Sequence, residues 1–570
     1  MNIIGLKKAN CKNCYKCIKV CPVKSIRISD EQAHIISDEC ILCGTCLHAC
    51  PQNAKTLSSD LEKVREFIRH GEDVYVSLAP SYYTMFDLDD PQRIVGALKK
   101  LGVKGVAQTT DGAAYVTAEY HRLAKEGKME NIITTCCPTI NALAEKYYPD
   151  VVKYLAPVVS PMIAHGRLLK KAFGDRCKVV FVGPCIAKKA ESEDLRHCKE
   201  IDAVLNFMDL DLWASQEDIK ISECEPEPFI QDNSEINRLY PIPGGIIKSI
   251  KKIESNIPYS MIGVDNIDAC KELFEAMIAG ELKGCFAEVN ACEGGCINGP
   301  VASETRRSKF LGRVELSKHV ARTGDSFPVL DSPLEISKTF AGVEDKKLMP
   351  TEREIREILR KIGKETPEQE LNCGSCGYPS CREKAIAVFQ GKADINMCLP
   401  FMRQRAESLS NYVLAETPNI TVIVDEELNI IEFNRAAEKL FGITRMQALQ
   451  KGIYELIDPA DFLYVLDTGE NIIDKKSELT EYGATVLQSI IKTDDGNYIM
   501  GIFKDITEEE ERQKASYQMK MSSVEMAQKV IEKQMTVAQE IASLLGETTA
   551  ETKVTLTKLK DMIENGGDAK

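Results

Sequence analysis

The stretch CKNCYKCIKVCP at residues 11–22 returns as CILCGTCLHACP at residues 40–51. Both copies follow Cys-x2-Cys-x2-Cys-x3-Cys-Pro, and together they supply Cys11, Cys14, Cys17, Cys21, Cys40, Cys43, Cys46 and Cys50. In such a run three closely spaced thiolates bind one 4Fe-4S cluster, and the fourth crosses to the neighbouring cluster. The repeat therefore predicts two adjacent clusters, with Cys50 completing the first set and Cys21 completing the second.

The alternative for these cysteines is zinc, because Cys-x2-Cys pairs also suit that metal. A tandem repeat of eight cysteines favours iron-sulfur clusters, and the run resembles that of the bacterial ferredoxins. The chain has 22 cysteines and no sequence typical of an export signal, which favours metal ligands over disulfides because the cytosol keeps thiols reduced.

Length and composition limit the class of protein. The chain has 570 residues, 44% of them hydrophobic and 28% charged, with a formal net charge of -14. This length exceeds what one hydrophobic core serves, so we expect about three to five units. The acidic balance argues against nucleic-acid binding, and no apolar run reaches the length of a membrane span. We expect a cytoplasmic protein with no nucleic-acid or membrane partner.

The predicted fold is multidomain, α/β and α+β. Short apolar runs at 74–79 and 179–183 alternate with charged helical stretches, which indicates a large α/β domain after the cysteine-rich start. Thr351 and Glu354 form a capping-box pattern that opens a helix before the last cysteine group. The expected domains are a ferredoxin-like 2x4Fe-4S domain (1–60), a two-lobed α/β domain (61–345), a small 4Fe-4S domain (350–408), a compact α+β domain (415–510) and a terminal signalling helix (511–570).

The terminal helix carries a heptad pattern. Tyr517, Val524, Ile531, Ala538 and Leu545 recur every seventh residue, as in the a positions of a coiled coil. The corresponding d positions hold Met521, Gln528, Met535 and Ala542. The pattern predicts a parallel homodimer; the alternative is one amphipathic helix that packs on its own chain.

Three further motifs lie in the α/β region. They are TTCCP (134–138), GPCIAKKAE (183–191) and EVNACEGGCING (288–299). In this order they resemble the three active-site motifs of the FeFe-hydrogenases, and the similarity covers about residues 1–345. That family carries an H-cluster, in which a 4Fe-4S cube is joined through a cysteine sulfur to a di-iron centre with carbonyl, cyanide and azadithiolate ligands.

The resemblance implies roles for individual residues. Cys137, Cys185, Cys292 and Cys296 would bind the cube, with Cys296 bridging to the di-iron centre. Cys136 would be the thiol that faces the azadithiolate, and Lys188 would hydrogen-bond a cyanide. Pro80 and Ser81 resemble the family's loop at the other cyanide, although an ordinary turn is the alternative there.

The sequence departs from the enzymes of this family along the proton path. In the resemblance, Tyr120 and Leu123 occupy the positions of relay carboxylates, and Ala156 occupies that of the relay serine. We therefore expect the link from Cys136 to the surface to be broken, with neither replacement restoring a carboxylate or hydroxyl link of the same kind. The wall of the site also differs: by the resemblance, Met162 replaces a glutamine, and Gly183 and Asn290 each replace a methionine, which predicts altered tuning and slow turnover.

A fourth cysteine set predicts one further 4Fe-4S cluster. Cys373, Cys376, Cys381 and Cys398 resemble the small domain found in corrinoid iron-sulfur proteins and hydrogenase-like sensors. Zinc is the alternative, although the uneven spacing is unlike a zinc ribbon. The remaining thiols lack ligand spacing and are expected to be buried free cysteines: Cys177, Cys198, Cys224, Cys270 and Cys285.

Short strands are predicted at 420–424, 430–433, 487–491 and 498–503. The segment that contains them, 415–510, resembles a PAS domain, through NRAAEKLFG at 434–442 and the closing Asp505-Ile-Thr507. Residues 399–570 contain no histidine and no cysteine, so haem ligation by histidine, a cysteinyl flavin adduct and a phosphoacceptor histidine are all excluded there. We expect relay or dimerisation, with output through a separate signalling protein.

These observations lead to three hypotheses. The first is a hydrogen or redox sensor that passes the state of its clusters to the PAS domain and the helix. The second is a catalytic FeFe-hydrogenase, an oxidoreductase coupled to ferredoxin, with regulatory domains. The third is a non-catalytic electron-transfer subunit. The basic residues among 1–29 either balance the anionic clusters or dock an acidic, ferredoxin-like electron carrier.

Overall fold

The computed structural model describes residues 3–565 apart from 197–198, 231–235, 303–307, 325, 331–332, 344–347, 494–496 and 546–549. Cys198 lies outside these residues. The chain divides into two compact units, residues 1–401 and 402–570. Among the described residues, no helix combines the length and the apolar character needed to cross a membrane.

The ferredoxin-like segment is built from short elements around its two cysteine runs. Tyr15 and Gly44 have left-handed backbones, with φ of 58° and 77°, and each ends a cysteine loop immediately before a short helix. Two antiparallel pairs, β1 with β4 and β2 with β3, support the loops. The elements are β1 (Ile4–Leu6), α1 (Lys16–Val20), β2 (Ile26–Ser29), β3 (Gln32–Ile35), α2 (Thr45–His48) and β4 (Lys55–Leu57).

The α/β region follows without a break. Its elements are α3 (Leu61–Arg69), β5 (Val74–Leu78), α4 (Tyr82–Met85), α5 (Arg93–Lys100), β6 (Gly105–Gln108), α6 (Thr110–Glu126), β7 (Ile132–Ile133), α7 (Pro138–Tyr147), α8 (Pro161–Phe173), β8 (Lys178–Gly183), α9 (Ala187–Ser192), β9 (Ala203–Asn206), α10 (Phe207–Gln216), α11 (Gly245–Ile253), β10 (Ser260–Asp265), α12 (Ile267–Ile278), β11 (Cys285–Asn290) and α13 (Lys309–Thr323).

Two parallel sheets organise this region. One has four strands in the order β6-β5-β8-β9, and the other has three in the order β10-β11-β7. Every residue of β5, β6 and β11 is buried, as expected for parallel strands covered on both faces. Each sheet has its own hydrophobic core, one around Val76 and Val106 and the other around Ile133 and Val289. The α/β prediction is confirmed.

The small cysteine domain is mainly helical. Thr351 accepts from the Glu354 backbone N–H while the Glu354 carboxylate accepts from the Thr351 backbone N–H, which is the predicted capping box. The helix buries Ile355 and Leu359. The elements are α14 (Glu352–Lys361), α15 (Cys381–Phe389) and α16 (Leu399–Glu416), the last of which lies at the division between the units.

The second unit contains a five-stranded antiparallel sheet in the order β13-β12-β16-β15-β14. Four of its strands coincide with predicted ones, whereas β14 was not predicted because half of the residues in its sequence, IIDKKSEL, are charged and most of them are exposed. The elements are β12 (Ile420–Val424), β13 (Ile430–Phe433), α17 (Arg435–Phe441), α18 (Arg445–Ala448), α19 (Ala460–Thr468), β14 (Ile472–Leu479), β15 (Ala484–Lys492), β16 (Ile499–Asp505), α20 (Thr507–Leu545) and α21 (Ala550–Asn565).

The heptad stretch lies on one helix, α20, which is 39 residues long. Tyr517 and Met521 are 65% and 46% exposed, and Val524, Ile531 and Ala538 are half-buried. The shorter helix α21 contacts α20. The coiled coil and the homodimer stay predictions.

Candidate metal centres

The second ferredoxin-type set includes Cys21, which belongs to the first cysteine run in the sequence. Burial, together with the neighbouring Cys43, Cys21 and Cys40 thiols, raises the pKa of the Cys46 thiol to about 12. Cys21 thus lies with the three cysteines of the other run. Because thiols held this way are protonated in water, metal binding must displace their protons, and affinity for iron rises with pH.

The first set shows the same grouping among three of its members. Burial raises the pKa of Cys17, and the nearby Cys14 and Cys11 thiols act in the same direction. The Cys50 Sγ accepts from the Ala54 backbone N–H at 3.3 Å. The ligand assignments for both sets stay predictions.

Lys55 is a buried cation that the sequence reasoning missed. Its side chain is held by a 2.9 Å hydrogen bond from Nζ to the Ala33 carbonyl, and the residue is 8% exposed. Its charge lowers the pKa of both Cys17 and Cys46, so it faces both cysteine sets. Lys55 opens β4, and the signal was available as a lysine placed four residues beyond the second run.

The three hydrogenase-like motifs meet at the carboxyl ends of the parallel strands. Cys136 and Cys137 follow β7, Cys185 follows β8, and Cys292 follows β11, with Cys296 in the next turn. Ligand sites of α/β proteins lie at this edge of a sheet. Both sheets therefore contribute thiols to one place.

A cavity of about 90 Å³ lies where the motifs meet. Its wall is mostly apolar and includes most of the residues singled out from the sequence: Pro80, Ser81, Cys136, Cys137, Met162, Cys185, Lys188, Asn290 and Cys296. Pro80 and Ser81 thus border the same space as the cysteines, which is where the resemblance places them.

The thiols around this cavity are strongly shielded from water. Burial raises the pKa of Cys185 to about 11 and also raises the pKa values of Cys137, Cys292 and Cys296. Neighbouring thiols of the same group act in the same direction on three of them, and the Lys188 ammonium opposes the shift for Cys137, Cys185 and Cys296. Four thiolates beside one cation suit an anionic iron-sulfur cube.

Among the described residues, no three thiol, imidazole or carboxylate groups converge closely enough to hold a single metal ion. A 4Fe-4S cube presents a separate iron to each thiolate, so its ligands stand further apart than those of one ion. The absence of a single-ion site among these residues is therefore compatible with cysteine sets that hold cubes.

Lys188 is held in place by a buried carboxylate. Its Nζ lies 2.7 Å from Glu191 Oε2 and 3.3 Å from the Cys136 carbonyl, and Glu191 also accepts from Ser160 Oγ at 3.0 Å. Burial opposes the charge of Lys188, but the Glu191 carboxylate outweighs it and raises the pKa above its ordinary value. Lys188 is a permanent cation in the cavity wall.

Cys136 has a hydroxyl beside it, and the expected break in the proton path stays a prediction. Tyr120 does provide a hydroxyl, which lies 3.3 Å from Cys136 Sγ and 3.1 Å from Thr135 Oγ1. Thr135 Oγ1 donates to the Val158 carbonyl at 2.8 Å. A backbone carbonyl cannot pass a proton on, so this line of hydroxyls ends inside the protein. Ala156 is fully buried and offers no polar group.

Glu288 is a second residue that the sequence reasoning missed, although it opens a quoted motif. It is fully buried, and its carboxylate accepts from the Gly244 N–H (2.9 Å) and the Ile247 N–H (3.0 Å) at the start of α11. Burial raises its pKa to about 7. Its charge acts on Cys136 and on Tyr240, which lines the cavity.

The fourth cysteine set also lines one small cavity. Cys373, Cys376, Cys381 and Cys398 border it together with the Lys384 side chain. Lys384 is 1% exposed, and its Nζ donates to the Ile395 carbonyl at 2.8 Å. Four thiols around a buried cation repeat the arrangement of the larger cavity.

The described cysteines without ligand spacing are all buried, at 0–3% exposure: Cys177, Cys224, Cys270 and Cys285. Burial raises the pKa of the Cys270 thiol to about 12 and that of Cys285 to about 11. They are inert, as expected of buried thiols in apolar surroundings.

Four segments of the chain match models of known families. Residues 72–300 match the model of the "Iron only hydrogenase large subunit, C-terminal domain", and residues 3–51 match a "4Fe-4S dicluster domain". Residues 369–400 match a model named "Putative Fe-S cluster", and residues 418–508 match a "PAS domain".

Two curated relatives are hydrogenases. The chain is 25% identical over 381 residues to Iron hydrogenase 1 of Clostridium pasteurianum, covering 49% of this chain and 66% of that one. It is 23% identical over 323 residues to the NADP-reducing hydrogenase subunit HndD of Solidesulfovibrio fructosivorans, covering 46% and 55%. The chain thus spans between 55% and 66% of the length of these two relatives.

A solved structure of the FeFe-hydrogenase HydA1 from Chlamydomonas reinhardtii aligns with 50% of this chain and all of that one, at 17% identity and a TM-score of 0.38.

Proposed function

We propose that this chain, a FeFe-hydrogenase-like iron-sulfur protein with a PAS domain, senses hydrogen or redox state. The observation that carries the proposal is the contrast at Cys136. The thiols and the cation of the cavity are all present, yet the hydroxyl line from Cys136 ends at the Val158 carbonyl. A site that binds its ligand but exchanges protons slowly suits detection better than bulk turnover.

The residues of the cavity fit an H-cluster. Cys137, Cys185, Cys292 and Cys296 would hold the cube, and Lys188 would donate to an anionic ligand of the di-iron centre. When bound, such a group supplies reversible splitting of hydrogen into protons and electrons. The chain itself fixes Lys188 through Glu191, excludes water with an apolar wall, and holds the Cys136 proton in the interior.

Output would pass through the second unit. Its PAS core contains no histidine or cysteine, so relay through the fold suits it better than a bound haem. The helix α20 begins two residues after the last PAS strand and exposes part of its heptad face. We propose that two chains pair along this face and signal to a separate cytoplasmic protein.

The second candidate is a catalytic hydrogenase with regulatory domains, coupled to a ferredoxin-like carrier. Glu288 favours it, because a buried carboxyl whose pKa is raised to about 7 lies in the neighbourhood of Cys136. Such a group exchanges protons near neutral pH. An electron-transfer subunit without a di-iron centre is the third candidate; the complete set of thiols with Lys188 argues against it.

Infrared spectroscopy of the full chain separates these candidates. The protein is matured with the di-iron centre, and the carbonyl and cyanide bands are recorded with and without hydrogen. For a sensor we expect the bands to shift under hydrogen while turnover stays far below that of a catalytic relative measured in parallel. Turnover equal to that relative would establish the enzyme instead, and absence of the bands after maturation would favour the electron-transfer subunit.

A further inference from the structure

The small 4Fe-4S domain touches the ferredoxin domain beside Cys21. Lys24 reaches across with one ammonium group, which donates to the Ile18 and Lys19 carbonyls at 2.9 Å each and to the Gly377 carbonyl at 3.0 Å. Gly377 directly follows Cys376. One cation therefore joins the end of α1, which leads into Cys21, to the loop that carries Cys376.

The two backbones approach too closely for a side chain at this point. Gly377 has a φ of +91°, and a Cβ there would lie 3.0 Å from Ile18 Cβ and 3.1 Å from the Lys19 nitrogen. The neighbouring Tyr378 is 3% exposed and shares one hydrophobic core with Ile18 and Cys21. The contact is a packed interface, so the loop has a fixed place on the ferredoxin domain.

A second connection lies at the other side of the loop. Lys392 Nζ lies 2.6 Å from Glu39 Oε2, with the side chains 12% and 17% exposed. The Ile28 backbone N–H donates to the Lys392 carbonyl at 3.1 Å. Two separate points of attachment prevent the small domain from rotating about the Lys24 contact.

The thiols of the two domains are neighbours across this interface. Tyr378 lies in one hydrophobic core with Cys21 and Cys46, and Cys376 packs against the same core, so this ring adjoins members of both sets. The Cys21 set also has a neighbour on the side of the hydrogenase-like cavity, because Gly44, next to Cys43, packs against Ile186, next to Cys185; a Cβ on Gly44 would lie 2.8 Å from Ile186 Cδ1. The Cys21, Cys40, Cys43 and Cys46 set thus lies between the other two.

We propose that Lys24, Gly377 and Tyr378 fix the fourth cysteine set against the Cys21 set, which makes the Cys21 set a junction between the hydrogenase-like site and the small domain. This deepens the proposed sensor, because it names the route by which redox state leaves the front of the chain. One electron would pass from a cluster held by the Cys21 set, which would be oxidised, to a cluster held by the Cys376 set, which would be reduced, with no bond or proton moved.

The test uses magnetic coupling between reduced clusters and needs neither hydrogen nor the di-iron centre. The full chain is reconstituted with iron and sulfide, reduced with dithionite and examined by electron paramagnetic resonance. We expect the signal of the fourth cluster to be split or broadened. Removing the second set with Cys43→Ser and Cys46→Ser should narrow this signal much more than removing the first set with Cys11→Ser and Cys14→Ser.

Two glycines of the same loop provide the matched variants. Gly377→Leu should abolish the splitting while iron per chain is retained, because the new side chain pushes the loop off α1. Gly374 also has a left-handed backbone (φ +68°), but a Cβ there would meet only the Tyr378 carbonyl, at 3.8 Å, so Gly374→Leu should keep the splitting. In a second matched pair, Lys24→Met should abolish the splitting and the exposed Lys19→Met should keep it.

Several results would overturn the proposal: an unsplit signal in the full chain, equal narrowing by both cysteine pairs, or a splitting that survives both Gly377→Leu and Lys24→Met. A protein that shows the splitting but responds neither to hydrogen nor to a change of redox potential in its second unit would refute the proposed function and leave the junction intact. Loss of iron in one variant transfers the test to the other.

Discussion

Replacing Glu288 with glutamine changes how the stability of the first unit depends on pH. The carboxyl is fully buried, and burial raises its pKa from 4.5 to about 7 even though two backbone N–H groups of α11 donate to it. Glutamine keeps the size of the side chain and an oxygen acceptor but cannot ionise. The variant therefore removes the titration, and its amide NH2 also replaces one of the two oxygens that accept from the Gly244 and Ile247 N–H groups, which adds a cost in stability that does not depend on pH.

The sign follows from proton linkage. Below pH 4.5 the folded and unfolded chains both carry a neutral Glu288. Between pH 4.5 and about 7 the unfolded chain releases this proton first, so the folded state loses stability as the pH rises. At about 1.36 kcal/mol per pH unit, the loss approaches about 3 kcal/mol at pH 7.5. We expect Glu288→Gln to gain about that much over the parent between pH 4.5 and 7.5.

Scanning calorimetry of the full chain at several pH values measures this difference. With about 2 °C per kcal/mol, the transition of the first unit should rise by about 6 °C relative to the parent as the pH increases. The PAS core belongs to the other unit and serves as an internal reference. The exposed Glu272→Gln controls for the loss of a surface carboxyl. A constant difference between Glu288→Gln and the parent across this range would refute the reasoning.

Three further predictions concern other parts of the chain. Lys55→Met should lower the midpoint potentials of both ferredoxin-type clusters by about 50–100 mV in a redox titration. The reason is that about 1–2 kcal/mol of attraction between the Lys55 ammonium and the added electron is lost, at an effective dielectric constant of about 20. The exposed Lys19→Met should shift these potentials far less. Tyr120→Phe should lower the free energy of thermal unfolding by about 1–3 kcal/mol, since the Thr135 N–H loses its acceptor. It should also slow alkylation of Cys136 at pH 9, because the pKa of Cys136 rises when the Tyr120 hydrogen bond is lost. An unchanged unfolding free energy together with an unchanged alkylation rate would contradict this prediction. Ala538→Cys should form a disulfide between chains under mild oxidation, whereas Lys533→Cys, away from the heptad face, should not; a monomeric Ala538→Cys protein would exclude the parallel coiled coil.

Spacing in the sequence predicted the parts of the protein that depend on local chemistry. The tandem cysteine runs, the Thr351 capping box and four of the five PAS strands all follow from short patterns, because each is decided within a few residues. The strand β14 escaped because an exposed edge strand needs no apolar alternation. The homodimer depends on a second chain, which a heptad pattern predicts but does not demonstrate.

The two residues that the sequence reasoning missed, Lys55 and Glu288, have roles that arise from the fold. Lys55 faces cysteines of both runs, and Glu288 faces the start of α11, which begins 43 residues earlier in the chain. No spacing rule reports such neighbours. A comparison of Tyr120 with a carboxylate at the same position does not reveal that its hydroxyl lies 3.3 Å from Cys136 Sγ in the folded chain.

Gly183 shows why the departures from the hydrogenase motifs have to be considered together. A Cβ at this position would lie 2.7 Å from the Phe181 ring and 3.0 Å from Ala79 Cβ, so the wall has no room for the methionine that the resemblance places there. Phe181 itself lines the cavity. The aromatic ring two residues earlier thus occupies the space that a larger residue at 183 would need. The apolar wall is preserved by a different residue, and the loss of one side chain is not in itself a loss of the site. The proton path differs from the wall in this respect. The line of hydroxyls that starts beside Cys136 runs through Tyr120 and Thr135 and ends at the Val158 carbonyl, and no other residue among their described hydrogen-bond partners takes the place of the missing relay group.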